Sequence, residues 1–267
     1  MIGVSFMTAN FCARPTGWHM TGGWGQGDEA TNAYFAPLAT YGERLDTYLS
    51  EVRALGFTAV DFWTSLLNPV WATDAHIAVA QERLAQHDLA VYSIAGWMGS
   101  TPAEFVRTCE IATALGAPVL GGGTSLLRKD RGFVVATLQQ YGLRLGIENH
   151  PEKSADELLA QIGDGGAGTI GAAVDTGWFG TQGVDAAAAL RRLAPHLLVV
   201  HLKDVREVGR HDTCRYGAGI VPVERCVHVL QEIAFPGTIS VEHEPEFFDP
   251  HDDIAASLAL LQGWLAQ

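Results

Sequence analysis

The sequence predicts an α/β fold, a single-domain (β/α)8 TIM barrel over residues 1–267, on three observations. Short apolar runs alternate strictly with amphipathic stretches, and eight of each are present. Strict alternation of this kind implies a parallel sheet. The 267 residues match the ~250 typical of a one-domain barrel. No GxGxxG follows the first apolar run, so an open dinucleotide-binding sheet is disfavoured.

The elements follow in order. A first strand is expected at 3–7 (GVSFM). Residues 10–38 then form a long irregular segment rich in glycine and aromatics (GWHMTGGWGQG). Such a segment is too long for an ordinary βα loop and is expected over the C-terminal mouth of the barrel. A helix at 41–55 ends on a glycine (RALGFTAVDF) before strand 59–62. Glycine suits the left-handed conformation that closes a helix. Helix 75–86 leads to strand 90–94, and helix 102–115 ends on the same signal (TALGAPVLGG) before strand 118–121. Helix 132–141 ends likewise (QQYGLRLGIE) before strand 144–147. Helix 154–162, strand 169–174, helix 186–193, strand 197–202, helix 223–233 and strand 238–241 complete the alternation. The closing helix, 252–265, carries AxxLALLxxWL, one apolar face at helical period.

Composition narrows the function. Hydrophobic residues are 48% and charged residues 18%, enough for a large core and against a long disordered region. The net charge of −13, from 17 basic and 30 acidic residues, disfavours nucleic acid, whose phosphates are met by Lys and Arg. Cys12, Cys109, Cys214 and Cys226 show no CxxC spacing and read as free thiols in a reducing compartment. The N-terminus (MIGVSFMTANF) lacks a signal-peptide pattern. No uncharged apolar run approaches the ~20 residues of a membrane span. These readings together predict a cytoplasmic protein with no membrane partner.

The candidate chemistry lies after strands five to eight. Those strands run into Glu148 (LGIENHP), Asp175 (AAVDTGW), His201 (LVVHLKD) and Glu242 (ISVEHEP). Any one polar residue at a strand end is ordinarily a solvated loop residue or a cap. Four in consecutive βα units, all with metal-ligating side chains, converge on one mouth in a barrel. Three carboxylates gathered without a cation would repel one another and raise their pKa values. Three oxygen donors and one imidazole favour Mn²⁺, with Mg²⁺, Co²⁺, Fe²⁺ or Zn²⁺ as alternatives.

These residues carry a resemblance. IENH at 147–150, VDTG at 174–177, HLKD at 201–204, YGAG at 216–219 and SVEHE at 240–244 resemble the xylose-isomerase-like TIM barrels, the sugar isomerase and epimerase superfamily. The likeness spans the chain and is strongest over 145–244. It implies that Glu148, Asp175, His201 and Glu242 bind one divalent metal. It also implies that Glu148 and Glu242 face a substrate from opposite sides as proton-transfer groups. The resemblance has one departure: many relatives carry His three residues after the aspartate, where this chain has Trp178.

A metal chelating a ketone and its neighbouring hydroxyl acidifies the C–H between them. Proton return on the other face gives epimerisation, return to the adjacent carbon gives isomerisation, and loss of a β-hydroxyl gives dehydration. The leading expectation is therefore an isomerase or epimerase acting on a ketose or related sugar or polyol. The alternative is a lyase that dehydrates an inosose or keto-sugar. A non-catalytic sugar-binding barrel is a minor alternative, and a homo-oligomer is compatible with each. A related abasic-site nuclease is disfavoured by the charge and by SIAGW at strand three, which lacks a histidine.

Substrate contacts are expected from several further residues. Lys203, two after His201, shares its strand face, and His150 shares parity with Glu148. Trp63, Trp97 and Trp178 fall just past strand ends, where flat apolar walls suit the C–H faces of a sugar. Arg206 and His211 follow strand seven. Glu244 and His243 are expected to support the site from behind. Trp18 or Trp24 is expected to supply a wall from the first loop, whereas Trp71 and Trp264 belong to the core.

Overall fold

The structure, a computed structural model, describes residues 2–267. In chain order its elements are β1 (Gly3–Met7), α1 (Trp24–Phe35), α2 (Leu38–Ala54), β2 (Ala59–Trp63), α3 (Asp74–Gln86), β3 (Ala90–Trp97), α4 (Pro102–Leu115) and β4 (Val119–Gly123). There follow α5 (Leu126–Lys129), α6 (Arg131–Tyr141), β5 (Arg144–Glu148), α7 (Ala155–Ile162), β6 (Ile170–Asp175), α8 (Thr176–Thr181), α9 (Ala186–Leu193) and β7 (Leu197–Leu202). A short hairpin of β8 (Asp204–Val205) and β9 (Thr213–Cys214) precedes α10 (Val223–Glu232), β10 (Thr238–Val241) and α11 (His251–Leu265).

Eight strands close a parallel barrel in the order β1-β10-β7-β6-β5-β4-β3-β2. This is the (β/α)8 architecture expected from the alternation. Buried on both faces, the strands read as near-continuous apolar runs; β6, IGAAVD, is buried throughout. The helices cover the barrel with one face each, as α11 does with Ile254, Leu258, Leu261 and Trp264. Local signals fix their ends. Thr101 and Glu104 form a capping box at the start of α4, and Gly116 closes it in the left-handed conformation.

The segment 10–38 is not the irregular loop the sequence suggests. Its second half is helix α1. Two glycines and weak apolar periodicity (WGQGDEATNAYF) hide that helix from a sequence reading, because glycine lowers helix propensity. Tertiary contact decides it: Gly27, Thr31 and Phe35 form its buried side. At Gly27 a β-carbon would stand 2.3 Å from Met20 Sδ and 2.8 Å from the Cys12 carbonyl oxygen, so only glycine permits the approach. The strands also run further than expected at their C-terminal ends. Glu148 and Asp175 are the last residues of β5 and β6.

All four cysteines are free and buried. Among the described residues no helix is long and apolar enough to cross a membrane. The barrel interior holds an unusual polar layer at mid-height, where Ser5, Asp61, Ser93 and Ser240 are fully buried.

Candidate active site

The C-terminal strand ends surround a cavity of about 1170 Å³. Register places the key residues. Asp175 pairs with His201 between β6 and β7, and His201 pairs with Ser240 between β7 and β10. Glu148 pairs with Ala173, two residues before Asp175, the stagger expected of tilted barrel strands. Glu242 directly follows β10, its amide N–H donating to the Leu202 carbonyl at 3.1 Å.

Two asparagines lock these strand ends. Asn149 accepts from the Asp175 amide and donates to the Asp175 carbonyl, both at 2.9 Å. Asn10 accepts from the His243 amide at 2.8 Å and donates to the Val241 carbonyl at 3.0 Å. Asp175 also caps α8, its Oδ1 accepting from the Trp178 amide at 3.0 Å.

His201 is the hub of one half of the site. Its Nδ1 lies 2.5 Å from Glu148 Oε1 and 3.8 Å from Glu242 Oε2. Its Nε2 faces Asp61 Oδ2 at 3.0 Å. Behind Asp61 the polar layer continues: Ser240 Oγ donates to Asp61 Oδ2 at 2.8 Å and stands 2.8 Å from Ser5 Oγ. Burial opposes protonation of His201, but Glu148, Asp61 and Glu242 raise its pKa well above the ordinary imidazole value.

Lys203 is the hub of the other half. Its Nζ lies 2.9 Å from Asp175 Oδ2, 3.1 Å from Glu242 Oε1 and 2.9 Å from Glu244 Oε2. Burial works against its charge, yet Asp175, Glu242 and Glu244 more than restore it and raise its pKa. Burial lifts the pKa of Glu242 well above the usual carboxylate range; Lys203 pulls it down, while Glu244 and Asp175 add to the rise. Asp175 and Glu244 are likewise penalised by burial, but Lys203 brings both below their ordinary values. His211 Nε2 is 3.2 Å from Lys203 Nζ. Burial, then Lys203, lower the His211 pKa to about 4, so its neutral ring accepts from the ammonium.

The side walls are aromatic. Trp178 stacks on His211 with centroids 4.7 Å apart and meets His150 edge-on at 4.8 Å. His150 Nδ1 lies 3.6 Å from Glu148 Oε2. Trp24 packs on Trp63 at 5.4 Å and donates from Nε1 to Glu244 Oε1 at 3.2 Å. Trp24, Trp63, Trp97 and Trp178 all line the cavity.

The structure thus brings Glu148, His201, Glu242, Lys203, His150 and His211 to one cavity, with Asp175 buried behind Lys203. Arg206 stands apart, outside the cavity lining. Its backbone joins the β8–β9 hairpin, and its guanidinium faces Asp212 at 3.6 Å on the surface. Trp18 also stays outside, packed edge-on against Phe11 at 6.2 Å. Trp24 is the first-segment tryptophan that reaches the mouth.

A match to a family and to solved structures can be set on this geometry. The xylose isomerase-like TIM barrel family matches residues 49–264. The chain belongs to that family. Its fold is similar to that of a xylose isomerase domain protein from Planctomyces limnophilus, at 21% identity and a TM-score of 0.67 over 81% of this chain and 90% of that one. It is also similar to an L-ribulose 3-epimerase, at 18% identity and a TM-score of 0.65 over 84% and 89% of the two chains. A probable 3-DHS dehydratase from Bacillus anthracis covers 98% of this chain and 99% of its own at 14% identity and a TM-score of 0.62. No curated protein sequence matches the chain.

Within this xylose isomerase-like barrel, one inward residue escapes the strand-end pattern. Asp61 lies inside β2, AVDFW, not at its end. A charge within an otherwise apolar, fully buried strand is itself a signal, because an unpaired buried carboxylate is costly. Asn10 and Asn149 carry no comparable signal; an asparagine after a strand reads as an ordinary turn residue.

Proposed function

We propose that this chain is a divalent-metal-dependent sugar isomerase or epimerase that moves a proton at the carbon beside a carbonyl. One observation carries the reading. Glu148 and Glu242 come from β5 and the end of β10, separated in the barrel by β6 and β7, and both turn onto His201 Nδ1 at the cavity floor.

The residues fit a divalent ion by charge and donor chemistry. Five buried or nearly buried carboxylates, Asp61, Glu148, Asp175, Glu242 and Glu244, face two cationic side chains, His201 and Lys203. Glu242 Oε2 is buried with no hydrogen-bond partner. Among the described residues the acidic and imidazole groups do not form a ready-made cage, because Lys203 holds Asp175 and Glu242 while Glu148 holds His201. Glu148, Asp175, His201 and Glu242 would hold the ion once Lys203 turns toward substrate. Their three carboxylates and one imidazole suit Mn²⁺. When bound, such an ion supplies a Lewis acid that polarises a sugar carbonyl.

The chain's own groups do the rest. One of the two glutamates takes the proton from the carbon beside the carbonyl, leaving the electron pair in an enediolate. The other returns a proton on the opposite face, which inverts that carbon, or a proton is returned to the neighbouring carbon, which exchanges ketose and aldose. Lys203 donates to the oxygen that gains charge. Trp24, Trp63 and Trp178 keep water from the enediolate.

A second reading is dehydration of a keto-sugar or inosose. Glu242, whose pKa burial lifts well above the usual carboxylate range, is a proton donor suited to a departing β-hydroxyl, and the Lys203 ammonium beside it can hydrogen-bond that oxygen.

Proton NMR in D2O separates the readings. Enzyme stripped by chelator and reloaded with Mn²⁺ is mixed with ketoses, aldoses, inososes and keto-glycosides. Deuterium at the carbon beside the carbonyl, with an epimer or isomer as product, is expected. An unsaturated product lacking one water supports the dehydratase. Sugar binding with neither exchange nor product refutes both and leaves a binding barrel.

A further inference from the structure

The cavity extends well beyond the proton-transfer pair. Its volume, about 1170 Å³, exceeds the ~300–1,000 Å³ of clefts that enclose a drug-sized ligand. The strand order sets its span. β3, which ends in Trp97, lies four strands from β7 in either direction, so Trp97 stands across the barrel from the strand that carries His201. A single sugar ring on the His201 floor leaves the β3–β4 side of the cavity unfilled.

That side has the makings of a second ring site. Trp97 is 51% exposed, although it lines the cavity. Its Nε1 donates to Ser100 Oγ at 3.0 Å, which fixes the plane of the ring. At Gly123 a β-carbon would stand 3.3 Å from Trp97 Cζ3, so the indole lies close against this backbone. Arg128 is exposed on the same rim and lines the cavity. Glu152 and Gln161, from the segment after β5, also line the cavity, Gln161 Nε2 donating to Glu152 Oε1 at 2.5 Å.

We propose that the substrate carries a second sugar ring, as a disaccharide or glycoside, with that ring seated on Trp97. The proposal rests on reading the mouth as a carbohydrate site. A sugar ring has an apolar C–H face for an exposed indole. Its hydroxyls accept hydrogen bonds as well as donate them, so they suit the Arg128 guanidinium on the same rim.

The test uses the full chain and saturation-transfer NMR with calorimetry. The probes are maltose, cellobiose, lactose and trehalose, set beside glucose and galactose. At least one disaccharide is expected to bind about tenfold tighter than its constituent monosaccharides, with protons of both rings receiving saturation. Trp97→Ala should remove that tenfold advantage, costing the disaccharide about tenfold more than it costs the monosaccharides. Should Trp97→Ala misfold, Arg128→Ala at an exposed position should weaken the disaccharide alone. Disaccharides that bind no tighter than their monosaccharides overturn the proposal, as does a Trp97→Ala loss shared equally by both. Deuterium exchange on monosaccharides without a disaccharide advantage refutes only the second ring. A disaccharide advantage without exchange on any sugar refutes only the isomerase.

Discussion

Asp61 Oδ2 lies 3.0 Å from His201 Nε2, and the other imidazole nitrogen faces Glu148 and Glu242. The carboxylate on β2 thereby settles which nitrogen of His201 is turned to the cavity. Histidines that serve a metal commonly give their second nitrogen to such a partner, and losing it costs ~10–100-fold in metal affinity or activity. Asp61→Ala is expected to weaken Mn²⁺ binding by that factor in calorimetry. It should also change the ¹⁵N shifts that report protonation of the His201 ring in metal-free protein. Asp61→Asn keeps an acceptor oxygen beside Ser240 and should lose less. Unchanged nitrogen shifts in Asp61→Ala, with only a lower Tm, would make Asp61 a packing residue.

In the proposed mechanism Glu148 and Glu242 transfer the proton. Glu148→Gln and Glu242→Gln should each lower kcat by at least ~10²–10⁴, the usual cost of a lost general base, even at saturating metal. Metal content by elemental analysis accompanies the rate, so that a lost ligand is told apart from a lost base. A variant with near-normal kcat and bound metal would remove that glutamate from the mechanism.

Trp24 and Trp178 wall the cavity through different partners, Trp63 and Glu244 for the first and His150 and His211 for the second. Trp178→Ala and Trp24→Ala should raise KM or lower kcat/KM while Tm and metal affinity change little. Lower Tm with unaltered kinetics in either variant would assign that tryptophan to stability.

The cysteines offer a check on the interior. Burial pushes the Cys109, Cys214 and Cys226 thiols up to about 12, and burial likewise raises Cys12. The thiolate is the reactive form. At pH 8 the native protein should therefore react with a disulfide reagent at none of its thiols within minutes, and at four after unfolding in guanidinium. Fast labelling of the native chain would contradict the packing around whichever cysteine reacts.

The barrel was legible in the sequence because its signals are local. Each apolar run of four to eight residues and each glycine after a helix, as at Gly116 and Gly142, can be read without knowing what lies across the fold. Glu148, Asp175, His201 and Glu242 were legible for a related reason. A parallel barrel sends every strand's C-terminal end to one mouth, so position along the chain already implies proximity in space. Helix α1 was not legible, because Gly25 and Gly27 argue against a helix locally and only contact with Cys12 and Met20 favours one.

What the tertiary structure alone decided is who faces whom. Lys203 shares a strand face with His201 by parity, but parity does not choose between a substrate oxygen and the carboxylates of Asp175, Glu242 and Glu244. Arg206 and His211 sit in one hairpin segment, and its backbone pairing sends the first to the surface and the second to Lys203. Asp61 and His201 are 140 residues apart in sequence, and their contact exists only because barrel closure folds β2 and β7 around one interior. Sequence periodicity records which face of an element is buried; the partner met on that face is set by the register and stagger of strands far apart in the chain.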